Sequence, residues 1–285
     1  MGSLTYDVNR YTPKQMIVIP AVVLMIALVL LAFNTMHIGL PVKPGIDFAG
    51  GTAVTLYSSE TELNIMTSFA DFPLITPIEG SPNNGYYLKF EPMSDDQLQS
   101  LITLVNDKYP NAKIDQIGET FGKTLQQQAL IALLISFIGM SIVVFIAFRT
   151  VVPSFAVVLS AFADIAITAA IMDLLGITLS LGTTAALLML IGYSVDSDIL
   201  LTNRVLKRKG NLDEKLAGAY HTGIIMTTTT LAALGAMWVV SFLGQIEIIL
   251  EIASVLIIGL MVDLMNTWLT NAGILKWYAR KRGDR

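Results

Sequence analysis

Six long apolar stretches divide the chain, and a long polar segment, residues 37–125, separates the first from the second. The apolar stretches cover roughly residues 15–36, 126–148, 153–173, 181–203, 222–243 and 247–275. A helix needs about 20 mostly apolar residues to cross the hydrocarbon core of a bilayer. Each stretch is therefore predicted to be a transmembrane helix, and the last is long enough to tilt or to extend past the membrane.

The polar segment has the pattern of a small folded domain, with short apolar runs between turn signals. Strands are predicted at Thr52–Tyr57, Leu74–Ile78, Tyr86–Phe90 and Lys113–Ile117, and helices at Thr61–Phe69 and from Ser94 to about Lys108. Pro73 and Pro77 confine the second strand to a sheet edge or a bulge, and residues 80–85 form a turn cluster. Strand, helix, strand, strand, helix, strand is the ferredoxin-like order. The unit is small for an independent core, so we expect a partner domain to support it.

Basic residues mark one side of the predicted bundle. Thirteen of the eighteen lie at the chain termini and at alternate helix ends: Arg10, Lys14, Arg149, Arg204, Lys207, Arg208, Lys209, Lys215, Lys276, Arg280, Lys281, Arg282 and Arg285. By the positive-inside rule that side is cytoplasmic. We predict a multi-pass protein of the cell membrane with a cytoplasmic N-terminus (1–14), a retained signal-anchor helix (15–36), an extracytoplasmic domain (37–125), five further helices (126–275) and a cytoplasmic C-terminus (276–285).

Composition agrees with burial in a lipid bilayer and excludes several other classes. Only 14% of the residues are charged and mean hydropathy is +0.65, whereas soluble domains carry about 25% charged residues. Nucleic-acid binding needs a basic face or stripe, and the sequence has none. Cysteine is absent, which excludes disulfides and thiolate metal sites. Without nucleotide-binding or hydrolase motifs, we expect no enzymatic activity, no metal and no cofactor.

Four aspartates fall inside the predicted helices. Asp164 lies near the middle of the third, Asp196 and Asp198 lie past the middle of the fourth, and Asp263 lies deep in the sixth. Insertion scales assign a central aspartate a cost of roughly 2.5–3.5 kcal/mol. These side chains should therefore face a protein interior or a water-filled cavity.

Two roles are open for the four aspartates. Burial and neighbouring carboxylates both favour the protonated form of a carboxyl group, so such residues could carry protons across the membrane. Alternatively, they could fix helix packing through hydrogen bonds to Ser194, Ser197, Thr168 or Asn266. Glu247 and Glu251, one helical turn apart at the start of the sixth span, indicate a solvated helix start favoured by the helix dipole, with a proton entry point as the alternative.

Two motifs resemble those of a known family. The first, after the first span, contains Gly45, Asp47, Phe48, Gly50 and Gly51, and the second, in the fourth span, contains Gly192, Tyr193, Ser194 and Arg204. With the span count and the position of the large loop, they resemble the SecD/SecF family of protein-export proteins, on its SecF side. The glycines of the first motif favour a sharp, fixed re-entry from membrane to domain, with substrate contact as the alternative.

The resemblance implies that the chain forms one half of an RND-type bundle and that a SecD-like membrane protein forms the other half. The two halves would be related by an axis along the membrane normal, as parallel repeats are. It also implies that the protein acts in the lipid bilayer beside the Sec translocon channel, on a translocating polypeptide. Coupling to the proton gradient would follow from the same resemblance, with the four aspartates as candidates for proton transfer. Two positions depart from the family pattern: Ser197 stands at the usual aspartate position, and Thr222 stands near an expected basic residue. Flanking carboxylates could substitute. The alternatives are an RND-type exporter of lipid or small molecules and an assembly factor for membrane proteins.

Overall fold

The computed structural model describes residues 11–81, 85–208, 210–244 and 246–282. Arg10, Lys209 and Arg285 of the basic clusters, and residues 82–84 of the predicted turn, lie outside this range. The elements in chain order are α1 (Pro13–Ile38), α2 (Ile46–Ala49), β1 (Gly51–Tyr57), α3 (Glu62–Ser68), β2 (Leu74–Ser81), β3 (Gly85–Phe90), α4 (Asp95–Lys108), β4 (Lys113–Ile117), α5 (Glu119–Phe148), α6 (Val151–Leu174), α7 (Leu181–Lys207), α8 (Leu212–Gly244), α9 (Glu247–Met265), a π-helical segment (Asn266–Asn271) and α10 (Ala272–Arg282).

Six helices in the described part of the chain are long and apolar enough to cross a membrane, as the sequence predicted. The sixth is one continuous helix from Glu247 to Arg282, made of α9, the π-helical segment and α10. The second, α5, begins at Glu119, several residues before the predicted start at 126. The residues before 126 include Glu119, Lys123 and Thr124, so hydropathy alone does not assign them to the helix.

The polar segment folds around a four-stranded sheet of order β2-β3-β1-β4, in which all neighbouring strands are antiparallel. β2 is an edge strand whose pairing with β3 shifts register between Ile75 and Glu79, which confirms the expectation from Pro73 and Pro77. Helix α4 begins with a capping box in which the Ser94 hydroxyl accepts from the Gln97 amide. The helices close one face of the sheet over an aromatic core that includes Phe69 and Phe90, with ring centroids 5.6 Å apart.

In the membrane bundle α6, α7 and α9 are central, and α1, α5 and α8 lie outside them. α1 packs on α6, α5 packs on α6 and α7, and α8 packs on α7 and α9. Of the 18-residue apolar window of each helix, 67% is buried in α6 but only 11% in α5 and 17% in α8. The outer helices therefore present most of their surface to lipid or to another protein.

The two ends of the bundle differ. At the domain end, the loop before α7 pairs with the chain leaving α1, since the Gly45 amide donates to the Leu179 carbonyl and the Leu179 amide donates to the Lys43 carbonyl. At the other end, here called the terminal end, α10 meets the start of α1, and the Lys276 ammonium donates to the Tyr11 carbonyl at 3.0 Å.

Candidate functional site

Three of the four aspartates meet in the middle of the bundle. Asp164 on α6, Asp198 on α7 and Asp263 on α9 are each at most 1% exposed. All three belong to one hydrogen-bonded cluster, because Ser194 links Asp164 to Ser197 and Asp263, and Thr267 links Asp263 to Asp198.

Asp164 is held by two neutral donors. The Ser194 hydroxyl of α7 donates to its Oδ2, and the Asn266 amide of the π-helical segment donates to its Oδ1 at 2.7 Å. These bonds join α6 to both of the other central helices. They are among the partners that a purely structural role predicted.

Asp198 and Asp263 are joined through Ser197 and Thr267. The Ser197 hydroxyl lies 3.2 and 3.1 Å from the two carboxylate oxygens of Asp263, 2.9 Å from the Ser194 carbonyl and 3.1 Å from the Thr267 hydroxyl. The Thr267 hydroxyl in turn lies 3.1 Å from Asp263 Oδ1 and 3.0 Å from Asp198 Oδ1. Ser197 thus contacts the Asp263 carboxylate directly, and the Thr267 hydroxyl bridges Asp263 and Asp198.

The π-helical segment supplies most of the remaining partners. Asn271 donates from its side-chain amide to Asp198 Oδ1 at 2.8 Å, and Thr270 bonds Asn266. π-helical turns are rare in proteins, and those that occur often lie at functional sites. Sequence reasoning found Asn266 but missed Thr267, Asn271 and the π-helical segment. The signal was Asn-Thr-Trp-Leu-Thr-Asn, a polar run inside an apolar span.

The cluster has no ion-pair partner within the part of the chain that the structure describes. Among the described residues, the ion pairs join Lys89 to Glu251, Lys108 to Glu60 and Lys123 to Glu119, and the cluster makes none. Removing an ionised carboxylate from water costs several kcal/mol unless a counter-charge compensates it. Three adjacent buried carboxylates with only neutral partners are therefore incompatible with three full negative charges.

Asp196 lies outside the cluster. It is exposed on the surface of this chain, on a stripe of α7 that also contains Met189, Gly192 and Tyr193. These residues recur every three or four positions and so share one helix face. Within the second motif, Gly192 and Tyr193 are also exposed, whereas Ser194, Ser197 and Asp198 are buried in the cluster.

Arg204, the last residue of that motif, packs across to α8. Its guanidinium donates to the Thr222 hydroxyl at 2.7 Å. Thr222 occupies the position where the family pattern suggests a basic residue, and the structure brings the arginine of α7 to that position.

The first motif connects domain and bundle. The Asp47 carboxylate accepts from the Leu181 amide at 2.9 Å and caps α7, while Phe48 is buried in the core of the bundle beside Leu179 and Leu190. Gly50 and Gly51 have φ values of +81° and +139°. A Cβ at Gly50 would meet the backbone of Glu119 at the start of α5, so the sharp re-entry explains this glycine.

Glu251, predicted to lie at a solvated helix start, lies between the domain and the bundle and lines a cavity there. Its side chain is 16% exposed and lies 3.9 Å from the Lys89 ammonium of β3, and its Oε2 accepts from the Ser180 hydroxyl at 2.8 Å. A cavity of about 350 Å³ lies here between sheet and bundle, and its lining includes the charged side chains of Asp47, Lys89 and Glu251. Glu251 therefore ties the domain to the start of α7.

The comparison with known proteins is consistent along the whole chain. A family described as "Protein export membrane protein SecD/SecF, C-terminal" matches residues 97–281. A protein of Methanolacinia petrolearia named "Protein-export membrane protein SecF" is 59% identical over 283 residues, which are 99% of this chain and 100% of the relative. Its namesake in Haloferax volcanii is 42% identical over 95% of this chain and 94% of the relative.

A solved structure shows the same fold. The translocon-associated membrane protein SecDF of Thermus thermophilus aligns with a TM-score of 0.72 at 22% identity, over 96% of this chain. The chain spans 40% of that longer protein. Because the family model matches most of the chain and both relatives align with nearly all of it, this chain belongs to the SecD/SecF family of protein-export membrane proteins.

Proposed function

We propose that the chain is an auxiliary subunit of the Sec protein-export machinery that works as one half of a membrane complex with a SecD-type partner. The names of its relatives support a role in protein export over that of a lipid or small-molecule exporter. That the chain spans less than half of SecDF supports the two-half arrangement. The partner complex would act beside the Sec channel on a translocating polypeptide.

The exposed stripe of α7 supports a partner in the membrane. Asp196 would face hydrocarbon if the chain were alone, and a charged side chain there is costly. A Cβ added at Gly192, also on the stripe, would meet no atom from outside its own helix within 4 Å, which leaves room for the close approach of another helix. Small residues are typical of such helix contacts in membranes.

Substituting Gly192→Leu is expected to abolish co-purification of the SecD-type partner, because the leucine side chain occupies the space that the partner helix needs. The chain itself should fold normally, since nothing from its other helices lies close to that position. Gly139→Leu on α5 is the matched control, as Gly139 is also an exposed helical glycine without near neighbours. Unchanged recovery of the partner with Gly192→Leu would contradict this interface.

The outer domain is proposed to be ferredoxin-like and extracytoplasmic, with both termini in the cytoplasm. Its element order and its sheet order β2-β3-β1-β4 support the fold, and the basic residues at the terminal end support the orientation. It would hold emerging polypeptide.

A cysteine at exposed Ser100 of α4 should react with a membrane-impermeant thiol reagent added outside intact cells. A cysteine at exposed Asn211, before α8, should react only after permeabilisation. The native chain contains no cysteine, so labelling of the chain has no background. The reverse pattern would invert the orientation.

The aspartate cluster is proposed to carry protons. The Ser197 and Thr267 hydroxyls have one hydrogen each to donate. They contact each other and also four acceptor oxygens: the Ser194 carbonyl, both carboxylate oxygens of Asp263 and one of Asp198. Two hydrogens satisfy two of these contacts. A proton on either carboxyl group would supply a further donor. This shortage of donors, together with the absence of a counter-charge among the described residues, is the observation that carries the proposal.

A further inference from the structure

Two buried hydroxyls at the start of α6 have no hydrogen-bond partner in the described part of the chain. Thr150 stands at the N-cap of α6, Ser154 lies one turn further on, and both hydroxyl oxygens are buried. An N-cap hydroxyl normally accepts from the amide of the second or third helical residue, but the third here is Pro153, which has no amide hydrogen. Buried polar atoms are normally hydrogen-bonded, so both hydroxyls are available to a group from outside the chain.

The packing of α6 shows which way these hydroxyls face. Val157 and Ala161 follow on the same face of α6, since at 100° per residue all four positions lie within an arc of about 60°. Val157 and Ala161 pack in one hydrophobic cluster with Phe148 of α5 and with residues of α7. The two hydroxyls therefore face the junction of α5 with α7, at the terminal end of the bundle.

Two positive charges stand at the same junction. Arg149 directly precedes Thr150, and Lys207 at the end of α7 places its ammonium 6.0 Å from the centroid of the Phe148 ring. Among the residues that the structure describes, neither cation takes part in an ion pair. The start of α6 thus combines unused hydroxyls with positive charges that no carboxylate neutralises.

Arg149 has a backbone conformation that favours glycine. Its φ is +53°, and within the described ranges it is the one non-glycine residue with a positive φ. The left-handed position after a helix is usually occupied by glycine, because a Cβ is unfavourable in that conformation. An arginine at this position therefore strains the backbone, and what it adds is a positive charge next to the N-cap of α6.

We propose that the start of α6 binds the phosphate group of an anionic ligand. The first amides of a helix have no partner within it, and together with the helix dipole they favour phosphate. Hydroxyls donate to phosphate oxygens, and cationic side chains form the stronger, charge-assisted bonds. The proposed donors are the hydroxyls of Thr150 and Ser154, the amides of Val151 and Val152, and the side chains of Arg149 and Lys207.

Two sources could supply the phosphate, the headgroup of an anionic membrane lipid or free inorganic phosphate. Val151 is 74% exposed and Phe155, one turn further along α6, is 56% exposed. The start of α6 therefore opens toward the lipid as well as toward water. The site lies at the end of the bundle away from the domain, and it does not depend on the proposed transport of protons.

The unfolding temperature of the full chain, purified in detergent with its co-purifying partner, tests the site. A ligand that binds only the folded state raises this temperature. Phosphatidylglycerol is expected to raise it, whereas phosphatidylcholine, whose headgroup also has a positive charge, should not. Inorganic phosphate is the third addition. A rise with inorganic phosphate as large as that with phosphatidylglycerol would assign the site to a free anion, and a rise with phosphatidylglycerol alone would assign it to a lipid headgroup.

Arg149→Gly separates binding from folding. Without ligand it should unfold at the same or a higher temperature than the native chain, because glycine relieves the left-handed strain. The ligand concentration that gives half of the rise should nevertheless increase about tenfold or more, because a charge-assisted hydrogen bond is lost. Ser154→Ala should weaken binding while leaving the unliganded chain folded, since the hydroxyl that it removes has no protein partner.

Arg282→Gln is the matched control, because it removes one exposed positive charge at the terminal end from a different helix, α10. The response to ligand should be unchanged in this variant. An equal response of the native chain, Arg149→Gly and Ser154→Ala would overturn the site. So would no response to either anionic ligand, or an equal response to phosphatidylcholine, and water would then be the partner of the two hydroxyls.

Discussion

Replacing Asp263 with asparagine is expected to abolish the part of protein export that depends on the proton gradient, while leaving insertion and partner binding intact. Asparagine keeps the size of the side chain and can still bond Ser197 and Thr267, but it cannot take up and release a proton. The measurement is export into inverted membrane vesicles with and without a proton gradient. Asp198→Asn should behave in the same way, because Asp198 shares the Thr267 hydroxyl with Asp263.

Asp196→Asn is the matched control for this result. Asp196 is on the same helix as Asp198 but outside the cluster, on the stripe proposed to contact the partner. Asparagine keeps its size and hydrogen bonding, so both recovery of the partner and gradient-dependent export should persist. Alanine separates the two roles of the cluster. If the aspartates only fix packing, Asp263→Asn should be nearly silent and Asp263→Ala should be damaging, because alanine leaves the Ser197 and Thr267 hydroxyls without their partner. That outcome would support the structural role.

The second large effect is expected at the re-entry from membrane to domain. Gly51→Ala should strongly lower the amount of folded protein and its unfolding temperature in detergent. Gly51 has φ +139°, and a Cβ there would overlap the Phe90 carbonyl of the neighbouring strand. A non-glycine residue in such a conformation costs about 1–3 kcal/mol in backbone strain alone, and the overlap with a backbone atom adds to it.

Gly118→Ala provides the comparison for Gly51→Ala. Gly118 stands at the N-cap of α5 with φ −68°, and nothing lies within 4 Å of a Cβ there. Replacing an N-cap glycine with alanine costs about 1 kcal/mol of capping, but at this position it adds neither steric overlap nor left-handed strain. Equal unfolding temperatures for the two variants would show that the re-entry does not need glycine at position 51.

Periodicity and length predicted much of the fold from the sequence. Apolar windows located all six helices, and alternation with turn signals located all four strands, with β4 at its predicted bounds. The start of α5 was misplaced because a helix that leaves the membrane continues through polar residues without a change in backbone. The edge position of β2 was predictable, since proline removes a hydrogen-bond donor from the ladder.

The candidate site was predictable in kind but not in arrangement. Asp196 and Asp198 are two residues apart on α7, and hydropathy gives both the same cost, but only Asp198 is buried and bonds the π-helical segment. Which face of a helix is interior depends on contacts with helices distant in sequence. The same holds for Glu251, which sequence assigned to solvent and which β3 covers through Lys89. The polar run Asn266–Asn271 is visible in the sequence, but its π-helical conformation cannot be read from it.

Proton flux through the purified complex tests the central claim most directly. The chain and its SecD-type partner, reconstituted in liposomes with a pH-sensitive dye inside, are expected to carry protons down an imposed gradient. Flux should be lost in Asp263→Asn and Asp198→Asn and retained in Asp196→Asn. Undiminished flux in the Asp198→Asn, Asp263→Asn double variant would contradict the claim that the buried aspartates carry the protons.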